Sequence, residues 1–447
     1  MNHPSNVLPV VSHKSYLQLA LPLVLATITT PLLGAVDTAV VGQLPDPIYI
    51  GGVAVGSVIF NTLYWSLGFL RVSTSGFTAQ AHGANDPDNL AMSFIRPAII
   101  AAVIGCLFIL FQVQIKDFAL FIMQPTNELK EQILIYYNIR IWGAPFALMN
   151  YVILGWLMGS SKVRLTLFLQ VGMNLTNIVL NIIFVTVFSF AVTGVATATL
   201  LVEIVFMVIG LFFLVKLNMI KFSLHKYRKI FDKNSIVKLV RVNRDLMIRS
   251  ICLLVVFTLF TSIGTQMGEA VLAANAILFQ VHYLMSYCLD GFANASSILT
   301  GRSVGSDNKR MYKRTLNLSA IWGGVVAICL ASILYLTSDI MFSLFTSIEE
   351  VKVLISNYQG WLLLFPIVSF WGLLLNGVFS GATEVVPIRN SLIIAMILFL
   401  IMIHFLISLY GNHGLWFGFI LFSFVRSIIL NAYLPGLSKT LFKSGKV

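Results

Sequence analysis

PLVLATITTPLLGAVDTAVV, residues 22–41, decides how the rest of the chain is read. Twenty helical residues rise about 30 Å, the thickness of a bilayer's hydrocarbon core. The run is longer than the apolar core of a cleavable leader and lacks its small-residue cleavage site, so it is expected to remain as the first membrane helix. It carries one acid, Asp37, and two prolines, Pro22 and Pro31. Placing an aspartate mid-membrane costs about 2.5–3.5 kcal/mol on insertion scales, so such a residue marks a functional site by default. Each proline lacks an N–H and weakens the turn before it. A titratable group on a bendable helix is the arrangement a switch requires.

The whole chain has the same character. Of 447 residues, 58% are hydrophobic and 10% charged, with a mean hydropathy of +0.90. Soluble domains are about a quarter charged. Twelve apolar spans are expected, at 16–42, 50–80, 93–113, 133–158, 163–189, 191–216, 246–266, 270–300, 315–337, 354–380, 388–410 and 414–437. Barrel strands are about ten residues long and alternate, so the spans mean helices. The fold class is an all-α polytopic membrane protein. Cys106, Cys252, Cys288 and Cys329 fall in apolar spans without a CxxC pair and read as packing residues. No HExxH, no Ser/His/Asp set and no P-loop is present, so the chain is expected to be no enzyme, to hold no cofactor or metal, and to run on an ion gradient.

The charge of +12 is placed by topology. Nine lysines and arginines lie between Lys216 and Arg244, with Lys162, Arg164 and the stretch Arg302 to Arg314 on the same side as both termini. The opposite loops carry Asp46, Glu128, Glu131, Glu269, Glu349 and Glu350. The positive-inside rule puts the termini in the cytoplasm, the basic loops against anionic lipid, and nucleic acid out of consideration. The expected location is the inner (plasma) membrane.

The chain is also a duplication. Gly83 and Gly305, Asp117 and Asp339, and Glu128 and Glu350 lie 222 residues apart, and Pro145 and Pro366 lie 221 apart. An N-terminal lobe at 1–217, a basic linker at 218–240 and a C-terminal lobe at 241–447 follow. Six spans per lobe make the halves parallel, related by an axis along the membrane normal, the architecture of alternating access.

The halves differ where only one carries a task. The position 222 beyond Asp37 is Leu259. In the fifth span Asn174, Asn177 and Asn181 share one helix face, while the matching Ala395–Met402 has no such row. Amides in lipid are costly unless they meet protein, water or ligand. They either line a polar chamber with Asp37 or only join helices. A carboxyl group in a low-dielectric pocket holds its proton more readily than in water. Asp37 then either exchanges protons near neutral pH or binds Na⁺ or a cationic substrate. Arg71, Arg140 and Glu203 are buried charges of the same lobe, with Glu203 paired to one arginine or sharing a proton relay. Asp290, the acid inside the second lobe, either lines the central space and attracts cations or pairs with Arg426.

With these residues in view, PLLGAVDTAVVGQL (31–44), GGVAVGSVIF (51–60), FLRVSTSGFTAQAHGA (69–84), GWLMGSSKVR (155–164), NLTNIVLN (174–181) and LDGFANAS (289–296) make the chain resemble the multidrug and toxic compound extrusion (MATE) family, in its DinF-like branch. The resemblance implies twelve helices in two pseudo-twofold-related six-helix lobes, a V-shaped cleft, and export of amphipathic or cationic compounds in exchange for H⁺ or Na⁺. It implies Asp37 as the cation-coupling residue and bending of the first helix near Pro22. Related sequences often place an aspartate where this chain has Asn181, which leaves one acid where they have two. A lone carboxylate favours H⁺, because a desolvated metal cation wants several oxygens and compensating charge; Thr199 could still supply an oxygen to Na⁺. The expected function is multidrug export by proton antiport, by a monomer in the bilayer. The alternative is a flippase for lipid-linked precursors, which would need several basic residues facing the cleft.

Overall fold

The structure, a computed structural model, describes residues 11–42, 46–216 and 227–442. The side chains of 32–39, 41, 227 and 228 lie outside that description. The described residues form sixteen α-helices: α1 (His13–Val41), α2 (Pro47–Ser66), α3 (Phe69–Gly83), α4 (Pro87–Leu110), α5 (Gln112–Met123), α6 (Asn127–Arg140), α7 (Ala144–Gly159), α8 (Val163–Ile182), α9 (Ala191–Lys216), α10 (Tyr227–Ile230), α11 (Lys233–Gln266), α12 (Glu269–Gly305), α13 (Lys309–Phe345), α14 (Glu349–Gly381), α15 (Val386–Tyr410) and α16 (Asn412–Leu441). No strand occurs among the described residues.

Eleven helical segments among the described residues are long and apolar enough to cross a bilayer, with α2–α3 and α6–α7 each acting as one span. The 29-residue α1 completes the expected set of twelve. Lipid-facing positions are apolar and exposed, as on α13 at Ile328, Tyr335 and Leu336, because the backbone is satisfied inside each helix and the surroundings are hydrocarbon. Several helices overrun the apolar windows. α11 starts at Lys233 rather than near 246, so the linker's last basic residues stand on a helix capped by Asp232, whose carboxylate accepts from the Ser235 N–H. Hydropathy registers the part in oil, whereas caps set where winding begins.

The duplication reaches the turns. Asp86 caps α4 and Asn308 caps α13, again 222 apart. Residues with positive φ repeat at the same period, Asn85 (51°) with Asp307 (49°) and Ser161 (60°) with Thr383 (56°). Packing repeats too. Gly155 and Gly159 on α7 lie against the Arg71 and Ser75 carbonyls of α3, as Gly377 and Gly381 on α14 lie against the Ala293 and Ser297 carbonyls of α12. The copies diverge in continuity. The first lobe breaks its second span at Leu67–Gly68 and its fourth at 141–143, just before Pro145, where the second lobe runs unbroken through α12 and through Pro366 in α14.

The lobes meet at the end that carries the described termini and Lys162. Gly83 abuts the Arg302 backbone and Gly305 abuts the Gln80 backbone. The two contacts exchange under the 222-residue relation, so this seal is pseudo-symmetric. A Cβ at either glycine would overlap a carbonyl. Gln80 adds hydrogen bonds from Nε2 to the Gly381 carbonyl at 2.9 Å and to Thr383 Oγ1 at 3.1 Å. Helix α1 also binds the second lobe: Thr27 donates to the Tyr287 carbonyl at 2.8 Å, and the Tyr16 hydroxyl lies 2.9 Å from that of Ser296.

Candidate functional site

Helix α8 positions the asparagine row. Its residues recur at three- and four-residue spacing on one face, and all three are buried. Asn174 Nδ2 donates to Thr29 Oγ1 on α1 at 2.9 Å. Asn177 Nδ2 donates to Thr199 Oγ1 on α9 at 3.1 Å, and Asn181 Nδ2 donates to Asn177 Oδ1 at 2.8 Å. The row thus links three helices of the first lobe. Beyond Asn181 the helix widens into a π turn over Ile183–Val187, a distortion that recurs at functional sites.

Helix α1 stays helical across both prolines. Pro31 has no N–H for the Thr27 carbonyl, which leaves that ladder open one turn before the site. Pro22 and Pro31 are both half-buried. Position 37 lies two turns beyond Thr29, as Asn181 lies two turns beyond Asn174. The Asp37 side chain lies outside the described residues.

Arg140 and Glu203 are brought together and Arg71 is not. Arg140 Nη1 and Nη2 donate to the Glu203 carboxylate at 2.8 and 3.0 Å in a bidentate pair. The guanidinium lies 5.3 Å from the centre of the Phe60 ring and 5.7 Å from that of Tyr64. Asn150 Nδ2 donates to the Glu203 carbonyl at 2.9 Å. This assembly clamps α6 to α9.

A second charged group sits between the lobes: Arg71 on α3, Arg249 on α11, Asp290 on α12 and Arg426 on α16. Asp290 makes no ion pair with Arg426 and feels the charges of Arg249, Arg426 and Arg71. Sequence reasoning set Arg71 beside Arg140 and Glu203, weighed Asp290 against Arg426, and overlooked Arg249, although an arginine inside an apolar span was itself a signal. It also overlooked Thr29, whose place was marked by the TITTP run before Pro31. Among the described residues no group of three or more His, Cys, Asp or Glu is placed to hold a metal ion.

With fold and geometry in hand, comparison settles the lineage. The sequence profile of the MatE family matches residues 22–183 and 246–413, most of both lobes. This chain belongs to the MatE family. DNA damage-inducible protein F of Escherichia coli (strain K12) is 35% identical to this MatE protein over 421 residues, covering 94% of this chain and 92% of its own length. The probable multidrug resistance protein NorM of Pasteurella multocida (strain Pm70) is 24% identical, covering 72% of this chain and 70% of its own length. An outward-facing multidrug resistance MATE transporter of the MOP superfamily superposes with a TM-score of 0.87 at 20% identity, covering 97% of each chain, and shares the fold. This MatE protein is therefore a multi-pass membrane protein, and the relatives and neighbours whose names state a role are multidrug resistance proteins and transporters.

Proposed function

We propose that this MatE transporter exports small amphipathic compounds by cation antiport, with H⁺ favoured over Na⁺ and Asp37 as the protonatable coupling residue. The observation that carries the reading is the α1–α8–α9 amide and hydroxyl network, in which Asn174 holds Thr29 and Asn177 holds Thr199. It sets polar groups where α8 meets α1, the helix that carries Asp37, and the row itself holds no carboxylate. Protonation removes a charge from the first lobe, and α1, weakened at Pro22 and Pro31, changes its bend. Because α1 also touches the second lobe through Thr27, that change would reach the lobe interface. The basic end, with both termini, faces the cytoplasm of a plasma (inner) membrane, and the protein works as a monomer without a cofactor.

Dye transport in proteoliposomes, driven separately by a pH gradient and by a Na⁺ gradient, tests this. Drive by pH alone is expected; drive by Na⁺ alone would overturn the ion assignment. A second reading, a flippase for lipid-linked precursors, is favoured by one observation, the arginines Arg71, Arg249 and Arg426 between the lobes.

A further inference from the structure

We propose that Arg71, Arg249 and Arg426, gathered around Asp290 between the lobes, form a binding site for the anionic headgroup of an amphipathic substrate: a carboxylate, sulfonate or phosphate. The proposal rests on the exporter reading only in taking the space between the lobes as the substrate path.

The same chain shows what an arginine with a structural role looks like here. Arg140 is 4% exposed, paired bidentately to Glu203 and set over two rings. Arg389 and Arg244 both reach Asp245, at 3.0 and 2.8 Å. Arg426 is almost as buried, at 8%, yet its Nε and Nη2 have no partner, and neither does Nε of Arg249. Among the described residues Arg71, Arg249 and Arg426 make no ion pair, side-chain hydrogen bond or ring contact. Asp290, the acid they surround, is equally unpaired, and three guanidinium groups outnumber it by two charges. Arg249 and Arg426 repel one another, and each is attracted to Asp290.

A guanidinium does not shed its proton to escape burial. Charges left without partners at membrane depth are expensive and are characteristic of substrate or ion pathways. The planar fork of arginine matches carboxylate and phosphate oxygens two at a time. Arg71, Arg249 and Asp290 remain half-buried rather than enclosed, so a headgroup has access. Tyr151 and Tyr287 lie close enough to act on Arg71 and are half-buried too. Arg71 precedes the seal glycine Gly83 by twelve residues of the α3 helix, about 18 Å at 1.5 Å per residue. The site therefore lies deep, beyond the seal, near mid-membrane at the repeat interface, where transporters of this architecture hold their cargo. A cationic substrate would meet a wall of its own sign.

The test is equilibrium binding to the full-length protein in nanodiscs, at fixed pH and with no gradient, so that failure of ion coupling leaves the result untouched. The probes are an anionic fluorophore, a naphthalene sulfonate, and a cationic one, a rhodamine ester. The anion is expected to bind tighter than the cation. Arg249→Gln and Arg426→Gln should each weaken anion binding about tenfold or more, as loss of a charge-assisted hydrogen bond does, and leave the cation no weaker. Asp290→Asn should tighten anion binding several-fold, a gain that a damaged fold does not produce. Competition separates two sources of the headgroup. Displacement by decanoate at lower concentration than by a lipid-linked pyrophosphate means a soluble amphipathic acid; the reverse order means a lipid substrate. Either order supports the site. Anion affinity unmoved by both arginine variants, or weakened by Asp290→Asn, overturns it.

Discussion

Replacing the seal glycines by alanine should open this transporter at its basic end. A Cβ on Gly83 would overlap the Arg302 carbonyl, and one on Gly305 the Gln80 carbonyl and the Ala84 N–H group. The obstacles are backbone, so no rotamer change relieves them; the lobes must separate. Overpacking of this kind typically costs about 1–3 kcal/mol. At about 2 kcal/mol the ratio of open to sealed forms rises some thirtyfold, and a minor form at about 1% grows to about a fifth of the population. The open form lacks the strained contact, so the cost falls on the sealed form alone. Thr383 reports on the seal because it is buried there, its hydroxyl accepting from Gln80 Nε2 of the other lobe. In a background cleared of Cys106, Cys252, Cys288 and Cys329, Thr383→Cys should react slowly with a soluble maleimide and many times faster once Gly83→Ala or Gly305→Ala is added. The double variant should gain less than the product of the single effects, because both groups press on one interface. Unchanged labelling in both single variants would refute the claim that these contacts hold the lobes shut.

Glu203→Gln leaves Arg140 buried without its anion, and should lower stability in detergent by about 3–5 kcal/mol, read as an earlier thermal transition. Joint replacement of Arg140 by Met and Glu203 by Leu should restore most of it; no recovery would show the pair contributing beyond charge compensation. Asn181→Leu should slow pH-driven transport more than Phe188→Leu, outside the row, with both variants folded by size-exclusion profile. At the linker, the Ser235 hydrogen bonds hold the Asp232 carboxyl below its ordinary range. That cap therefore stabilises the start of α11 fully above the usual Asp value of about 3.9 and loses its effect as pH falls through the lowered value. Hydrogen-exchange protection of residues 233–237, taken relative to the intrinsic rate at each pH, should fall on acidification only below that point, and Asp232→Ala should lack that protection at every pH.

Apolar length alone was enough to count the spans, because a bilayer leaves a helix few alternatives. The period of 222 was legible in Gly83 and Gly305, and the structure supplies its reason: each needs backbone contact with the other lobe. The breaks at Leu67–Gly68 and at 141–143 were hidden, since Pro366 in the copy is tolerated without one. Pattern put Asn174, Asn177 and Asn181 on one face but could not name Thr29, because contact between α1 and α8 is tertiary. Arg249 escaped notice for the opposite reason. It follows Arg241 and Arg244 closely in sequence and passes for the end of a basic run, while the helix carries it inward to Asp290. Charge read along a chain and charge gathered in space were different quantities here.

Proton-driven transport in proteoliposomes carrying wild-type protein or Asp37→Asn tests the central claim most directly. Wild type should concentrate dye when only a pH gradient is imposed, and Asp37→Asn should show no uptake above protein-free vesicles while still binding dye at equilibrium. Undiminished pH-driven uptake by Asp37→Asn would contradict the account.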